Sequence, residues 1–136
     1  MSNNNSLNKA VKSLPLSSYC NTKNFEEELT AIWQNEWIYA SHEKMLLEPL
    51  SYITLNIGKY NILIIRDKNN ELVAYLNTCR HRGSILCEEK SGKLKNNLLV
   101  CRYHQWSYDV SDGKLIKTSS FKVPDNFNVD EHGLDR

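Results

Sequence analysis

The chain has little of what would build a membrane or secreted protein. Its 136 residues contain no run approaching the roughly 18–20 apolar residues that a bilayer span needs. The opening Met1-Ser2-Asn3-Asn4-Asn5-Ser6-Leu7-Asn8 reaches Lys9 and Lys12 without an apolar stretch, so the pattern of a secretory signal is missing. Both absences predict a cytoplasmic protein with no membrane partner. Charge of one sign is missing too: 17 Lys plus Arg stand against 16 Asp plus Glu, a net +1, which argues against the broad basic footprint of a nucleic-acid binder. Gly (5) and Pro (3) are too scarce for a fibrous or low-complexity chain. The length suits about one core, since domains typically take on the order of 100–150 residues, and two separate catalytic centres would be hard to fit.

What is present is a pattern of short β segments behind a helix. Residues 1–18 are rich in Asn, Ser and Lys without hydrophobic periodicity and read as a flexible tail. Asn24 has the chemistry of an N-cap, with Glu27 three residues on. Phe25, Leu29, Ile32 and Trp33 then recur at helical spacing, which predicts an amphipathic helix over 25–36. Its aromatic stripe, with Trp37 and Tyr39 beyond it, is expected to pack on a neighbouring sheet.

After Pro49 the segments Tyr52–Ile57, Tyr60–Arg66 and Leu72–Leu76 are short and β-branched or aromatic, which predicts strands. Gly58-Lys59 and Asp67-Lys68-Asn69-Asn70 separate them at hairpin lengths, giving an antiparallel meander. Leu98–Cys101, Trp106–Asp109 and Gly113–Ile116 continue the pattern, with Asp112-Gly113 as a turn and polar Lys90–Asn97 as the tip of an excursion. The expected fold is mainly β, a small antiparallel sandwich or barrel with an N-terminal amphipathic helix. One domain would then span 19–123. Residues 124–136, polar with isolated Phe127, Val129 and Leu134, read as the start of a linker.

Four cysteines in a chain without a visible signal are thiols or metal ligands rather than a disulfide framework. Two of them have histidines beside them: Cys79-Arg80-His81 follows the strand Leu72–Leu76, and Cys101-Arg102-Tyr103-His104 follows Leu98–Val100. Thiolates select iron–sulfur clusters, zinc or copper(I), and imidazole suits iron, copper and zinc. A Cys₂His₂ zinc must draw all four groups onto one ion, with pairs usually separated by two to five residues. The single residue between Cys79 and His81 is tight for that. A binuclear cluster relaxes the constraint, because each pair can be divided between two irons. Cys20 and Cys87 have no histidine at comparable spacing and read as incidental thiols, and His42 and His132 read as surface residues.

Cys79-Arg80-His81-Arg82-Gly83 and Cys101-Arg102-Tyr103-His104-Gln105-Trp106 resemble the two cluster-binding loops of Rieske proteins. More narrowly they resemble the N-terminal Rieske domain of the large (alpha) subunit of ring-hydroxylating, non-haem iron oxygenases. The likeness runs from Phe25 and Trp37, through Asn77–Gly83, to Trp106-Ser107-Tyr108 and the Asp112-Gly113-Lys114 turn. The chain departs from many family members at Arg102, where Pro is common, and at Gln105, where Gly is common. The 19 residues between His81 and Cys101 are also slightly more than usual. Respiratory-complex Rieske proteins join their loops by a disulfide, and the corresponding positions here are Ser84 and Tyr103.

The resemblance implies a [2Fe–2S] cluster held by Cys79 and Cys101 on one iron and His81 and His104 on the other. Replacing two thiolates by neutral imidazoles makes such a cluster easier to reduce than an all-Cys centre. Arg80, Arg82 and Arg102 would stabilise the reduced cluster or dock an acidic partner, and Tyr103 and Trp106 would shield it from water. The implied role is electron entry: single electrons arrive from a reductase or ferredoxin and pass to a mononuclear non-haem iron that activates O₂. That iron usually sits on two histidines and a carboxylate. His132 is the only histidine after Trp106, so the mononuclear iron is expected only in a catalytic domain absent from this chain, which reads as a truncated large subunit. Large subunits of the family commonly form homotrimers. Two alternatives stand: a stand-alone Rieske ferredoxin and a non-redox zinc-binding module.

Overall fold

The computed structural model describes residues 12–118 and 123–136, so most of the tail expected over 1–18 lies outside the described residues. The chain divides into two units, Met1–Ile38 and Tyr39–Arg136.

The first unit is helical: α1 spans Ser17–Cys20, α2 spans Thr22–Glu28, and a π-helical turn continues α2 over Leu29–Trp33. The helix starts three residues earlier than the sequence pattern predicts, because Asn21 rather than Asn24 is the cap: its side chain accepts from the Lys23 amide at 2.9 Å. None of these helical residues is buried. Phe25, Ile32, Trp33 and Trp37 are exposed.

The second unit is built from seven strands: β1 Ser51–Ile57, β2 Tyr60–Arg66, β3 Leu72–Leu76, β4 Ser91–Lys93, β5 Leu98–Val100, β6 Ser107–Asp109 and β7 Leu115–Lys117. They form two open antiparallel sheets, ordered β3-β2-β1-β4 and β5-β6-β7, rather than a closed barrel. Gly58, at φ 56°, turns β1 into β2, where a two-residue hairpin wants a residue with positive φ. Asp67 shapes the next turn by accepting from the amides of Asn69 and Glu71, both at 2.8 Å.

The part of Lys90–Asn97 expected to be an excursion includes β4, which pairs Tyr52 with Gly92 at the sheet edge. Its Ser-Gly-Lys sequence carries no apolar alternation. Close approach selects it instead: a Cβ on Gly92 would lie 2.7 Å from the Tyr52 hydroxyl oxygen, with ring carbons at 2.8 Å.

The core lies between the sheets. Leu63 and Ile65 from β2, Val73 and Tyr75 from β3, Leu99 from β5, Tyr108 from β6 and Leu115 from β7 are buried together. The alternation along β2 and β3 explains the choice, since residues two apart share a face. Tyr75 donates its hydroxyl to the Val110 carbonyl at 2.9 Å.

Residues 124–136 fold back onto this unit. Leu134 is buried and its amide donates to the Gly113 carbonyl at 2.8 Å, while the Asp135 carbonyl accepts from the Leu76 amide at 2.9 Å. The apolar residues of the segment are too widely spaced to form a periodic pattern: Leu134 is buried, Phe127 half-buried and Val129 exposed.

Candidate metal centre

Two loops at strand ends carry the candidate ligands, and they close in the same way. In the first, which follows β3, the Cys79 amide donates to the Ser84 carbonyl at 2.8 Å and the Gly83 amide donates to the Cys79 carbonyl at 3.0 Å. In the second, which follows β5, the Cys101 amide donates to the Trp106 carbonyl at 2.8 Å and the Gln105 amide donates to the Cys101 carbonyl at 2.9 Å. The residue before each closure takes the left-handed conformation, Gly83 at φ 69° and Gln105 at φ 60°. Glycine adopts this freely, whereas Gln105 pays a steric penalty from its Cβ.

Asn77, fully buried ahead of the first loop, accepts from the amides of Leu86 and Cys87 and donates to the Cys87 carbonyl and the Asn61 side chain. One side chain thereby fixes where the first loop leaves β3 and where its return segment lies. All four groups would be costly to bury unpaired.

Cys79 and Cys101 are both 2% exposed, and their thiols interact with one another. His81 and His104 are half-buried, with ring centroids 4.8 Å apart at 66°. The four candidates therefore gather as two buried thiols and a neighbouring imidazole pair. Among the described residues, no group of three or more His, Cys, Asp or Glu is arranged to hold one metal ion.

Burial pushes the Cys79 thiol above its ordinary pKa, opposed by a contact from the Tyr108 hydroxyl at 3.2 Å. That hydroxyl also accepts the Arg80 amide proton at 3.0 Å, and it is the donor to the sulfur whenever Cys79 is a thiolate, which has no proton of its own. Burial, then the nearby His104 and Arg82, holds His81 below the usual imidazole pKa and so keeps it neutral, the form that ligates.

Around these groups the side chains are unequal. Trp106, 5% exposed, lies flat on His81 with centroids 4.7 Å apart and planes at 9°. His104 packs at 3.8 Å on Tyr103, which is 60% exposed. Arg80 pairs with Asp135 at 2.7 Å and Arg102 with Glu88 at 3.1 Å. His132, read from the sequence as a surface residue, is half-buried and stacks on Phe127 at 4.3 Å. His42 is at the surface, where its ring nitrogen caps the turn at Lys44. Cys20 is exposed, whereas Cys87 is buried and its thiol is pushed up to about 11.

The donor set suits a binuclear cluster. Thiolates are the soft ligands such a cluster takes, imidazoles are the neutral ones that raise its potential, and His104 Nδ1 is buried with no hydrogen-bond partner among the described residues. The model of the Rieske [2Fe–2S] domain family matches residues 36–127, which contain both loops. The chain belongs to the Rieske [2Fe–2S] domain family.

Its curated relatives are Rieske oxygenase subunits. It is 38% identical over 122 residues to the glycine betaine monooxygenase oxygenase subunit of Pseudomonas aeruginosa, covering 90% of this chain and 28% of that protein. It is 40% identical over 116 residues to the carnitine monooxygenase oxygenase subunit of Acinetobacter baumannii, covering 85% and 30%. The Rieske chain thus spans less than a third of the length of these relatives. Among solved structures it is similar to the quaternary ammonium Rieske monooxygenase CntA in complex with gamma-butyrobetaine, with TM-score 0.82, 33% identity and coverage of 90% and 34%. It is also similar to naphthalene 1,2-dioxygenase, with TM-score 0.72, 28% identity and coverage of 82% and 25%. Both support the two-sheet Rieske architecture. Among the described residues, no helix is long and apolar enough to cross a membrane.

Sequence patterns did not single out Tyr108 as the partner of Cys79, Phe127 and His132 as neighbours of Trp106, or Asp135 as the partner of Arg80. Tyr108 carries a faint signal, a phenol at an inward position of a strand leaving the second loop. The other three carry none, because isolated residues after an irregular stretch have no period to read.

Proposed function

We propose that this chain is the electron-entry domain of a Rieske oxygenase large subunit, with Cys79 and Cys101 holding one iron of a [2Fe–2S] cluster and His81 and His104 the other. The observation that carries the reading is the division of the donor set into two buried thiols and a separate, less buried imidazole pair. When bound, the cluster supplies one-electron storage and transfer. Tyr108 hydrogen-bonds the Cys79 sulfur, the buried core keeps water from both cysteines, and Arg80 and Arg102 place positive charge on residues adjoining them. The less buried histidine pair is the side from which an electron leaves.

The partners that fit are a reductase or ferredoxin as donor and an oxygenase catalytic domain, with its own mononuclear non-haem iron, as acceptor. Assembly as a homotrimer and residence in the cytoplasm belong to the same proposal. The family relationship and the oxygenase-subunit relatives support it.

The test is metal and acid-labile sulfide analysis of the purified protein, with EPR of the dithionite-reduced form. Two irons and two sulfides per chain with a Rieske-type signal are expected, and zinc without labile sulfide overturns the reading. The variant His104→Cys tests the ligand set, because a charged thiolate replaces a neutral imidazole. The assembled cluster should have a lower reduction potential, and an unchanged one removes His104 from the ligands.

A further inference from the structure

The two candidate histidines are held very differently. His104 rests on an exposed tyrosine, whereas His81 lies against a buried indole that is itself backed by two more rings. Trp106 meets Phe127 edge-on at 5.8 Å and 84°, and His132 at 5.7 Å and 68°. Phe127 and His132 stack on each other at 4.3 Å and 29°.

Further contacts fix this backing in place. His132 Nδ1 lies 2.8 Å from the Asn128 carbonyl, which can only accept, so that nitrogen carries a proton and donates it. The Asn128 side chain accepts from the Asp130 amide at 3.1 Å and donates to Glu131 at 2.8 Å. The same segment grips the first loop again through the Arg80–Asp135 ion pair at 2.7 Å. A flat imidazole can rotate about its bond to Cβ at little intrinsic cost, because torsions of this kind are broad. The parallel stack on the indole restricts that freedom, and the edge-to-face contacts of Phe127 and His132 hold the indole in turn.

We propose that His132 and Phe127 are positioning residues for His81, acting through Trp106 to fix the plane of its imidazole. The inference rests on the reading of His81 as a cluster ligand. Neither residue touches the ligand set directly. They set the orientation of one of the two imidazoles, while the other rests on Tyr103.

The experiment uses the holo-protein reduced with dithionite, in which pulsed EPR resolves the two histidine nitrogens coupled to the cluster. His132→Ala should shift one nitrogen coupling and leave the second unchanged, and His132→Phe, which keeps a ring in the stack, should restore the first. Tyr103→Ala, on the His104 side, should shift the other coupling instead. Urea unfolding of each variant is measured in parallel. Unchanged couplings in His132→Ala, whatever its stability, overturn the proposal by reducing the stack to packing. Equal shifts of both couplings, or the same coupling moved by His132→Ala and Tyr103→Ala, overturn it as well. A wild-type protein without labile sulfide and the Rieske signal overturns the cluster reading and this inference with it. An intact signal with unmoved couplings overturns only the inference.

Discussion

Removing one oxygen atom, in the variant Tyr108→Phe, should lower the reduction potential of the cluster by about 30–65 mV. Tyr108 is fully buried in the core, and burial, followed by its bond to Cys79, pushes its own pKa well above the ordinary phenol range, so it remains a proton donor at any working pH. In the cluster-bound protein Cys79 Sγ is a thiolate with no proton, so Tyr108, 3.2 Å away, is the donor, while its oxygen accepts from the Arg80 amide at 3.0 Å. A hydrogen bond to a charged group contributes about 1.5–3 kcal/mol. The reduced cluster carries one more negative charge, so the bond strengthens on reduction. If roughly half its worth is gained at that step, the differential is about 0.7–1.5 kcal/mol, and at 59 mV per tenfold for a one-electron couple this gives the stated shift. Losing the bond disfavours the reduced form, hence the downward sign. Phe keeps the ring volume in the core. Spectroelectrochemical titration of the holo-protein at pH 7 reads the shift, with EPR confirming an intact cluster. An unchanged or raised potential in an intact cluster would refute the argument that this phenol donates to sulfur.

Further predictions concern the fold and its dependence on pH. Gln105→Gly should raise stability by about 0.5–1 kcal/mol, since glycine adopts φ 60° without the Cβ penalty, and the urea midpoint of the cluster-free protein reads it. Gly92→Ala should lower that midpoint by an amount corresponding to about 1–3 kcal/mol, because the added methyl meets the Tyr52 ring inside contact distance, and Gly92→Ala with Tyr52→Ala should lose less than the sum of the two. Burial raises the Cys87 thiol from 9.0 to about 11 in the folded chain, so its neutral form favours folding fully below pH 9 and this contribution is lost as pH rises toward 11. The midpoint of the cluster-free protein should fall across that window, and Cys87→Ala should flatten the fall.

Much of this structure could be read from residue type and period alone. β1, β2 and β3 lie where β-branched alternation put them, because a half-buried sheet forces inward and outward residues to alternate. The four candidate ligands were legible because thiol and imidazole recur at close spacing after two strands. What escaped was set by tertiary contact. β4 depends on a glycine that admits the Tyr52 ring, a requirement invisible in Ser-Gly-Lys itself. The helix start moved to Asn21, since Asn24 and Asn21 have the same capping chemistry and only the backbone decides between them. Phe127, His132 and Leu134 lacked periodicity because they lie in an irregular stretch, where Phe127 and His132 meet Trp106 and Leu134 meets Gly113. The shared closure of the two loops was hidden as well, since glycine marks the left-handed position in one and glutamine occupies it in the other.

The bond from Tyr108 to Cys79 joins residues 29 apart in sequence. On the ribosome, at roughly 5–20 residues per second, the first loop is made about 1.5–6 s before the phenol it leans on. Until β6 has been made and has folded against the first loop, Cys79 lacks this hydrogen bond, so loading of the centre with its full set of contacts belongs after β6 has been synthesised.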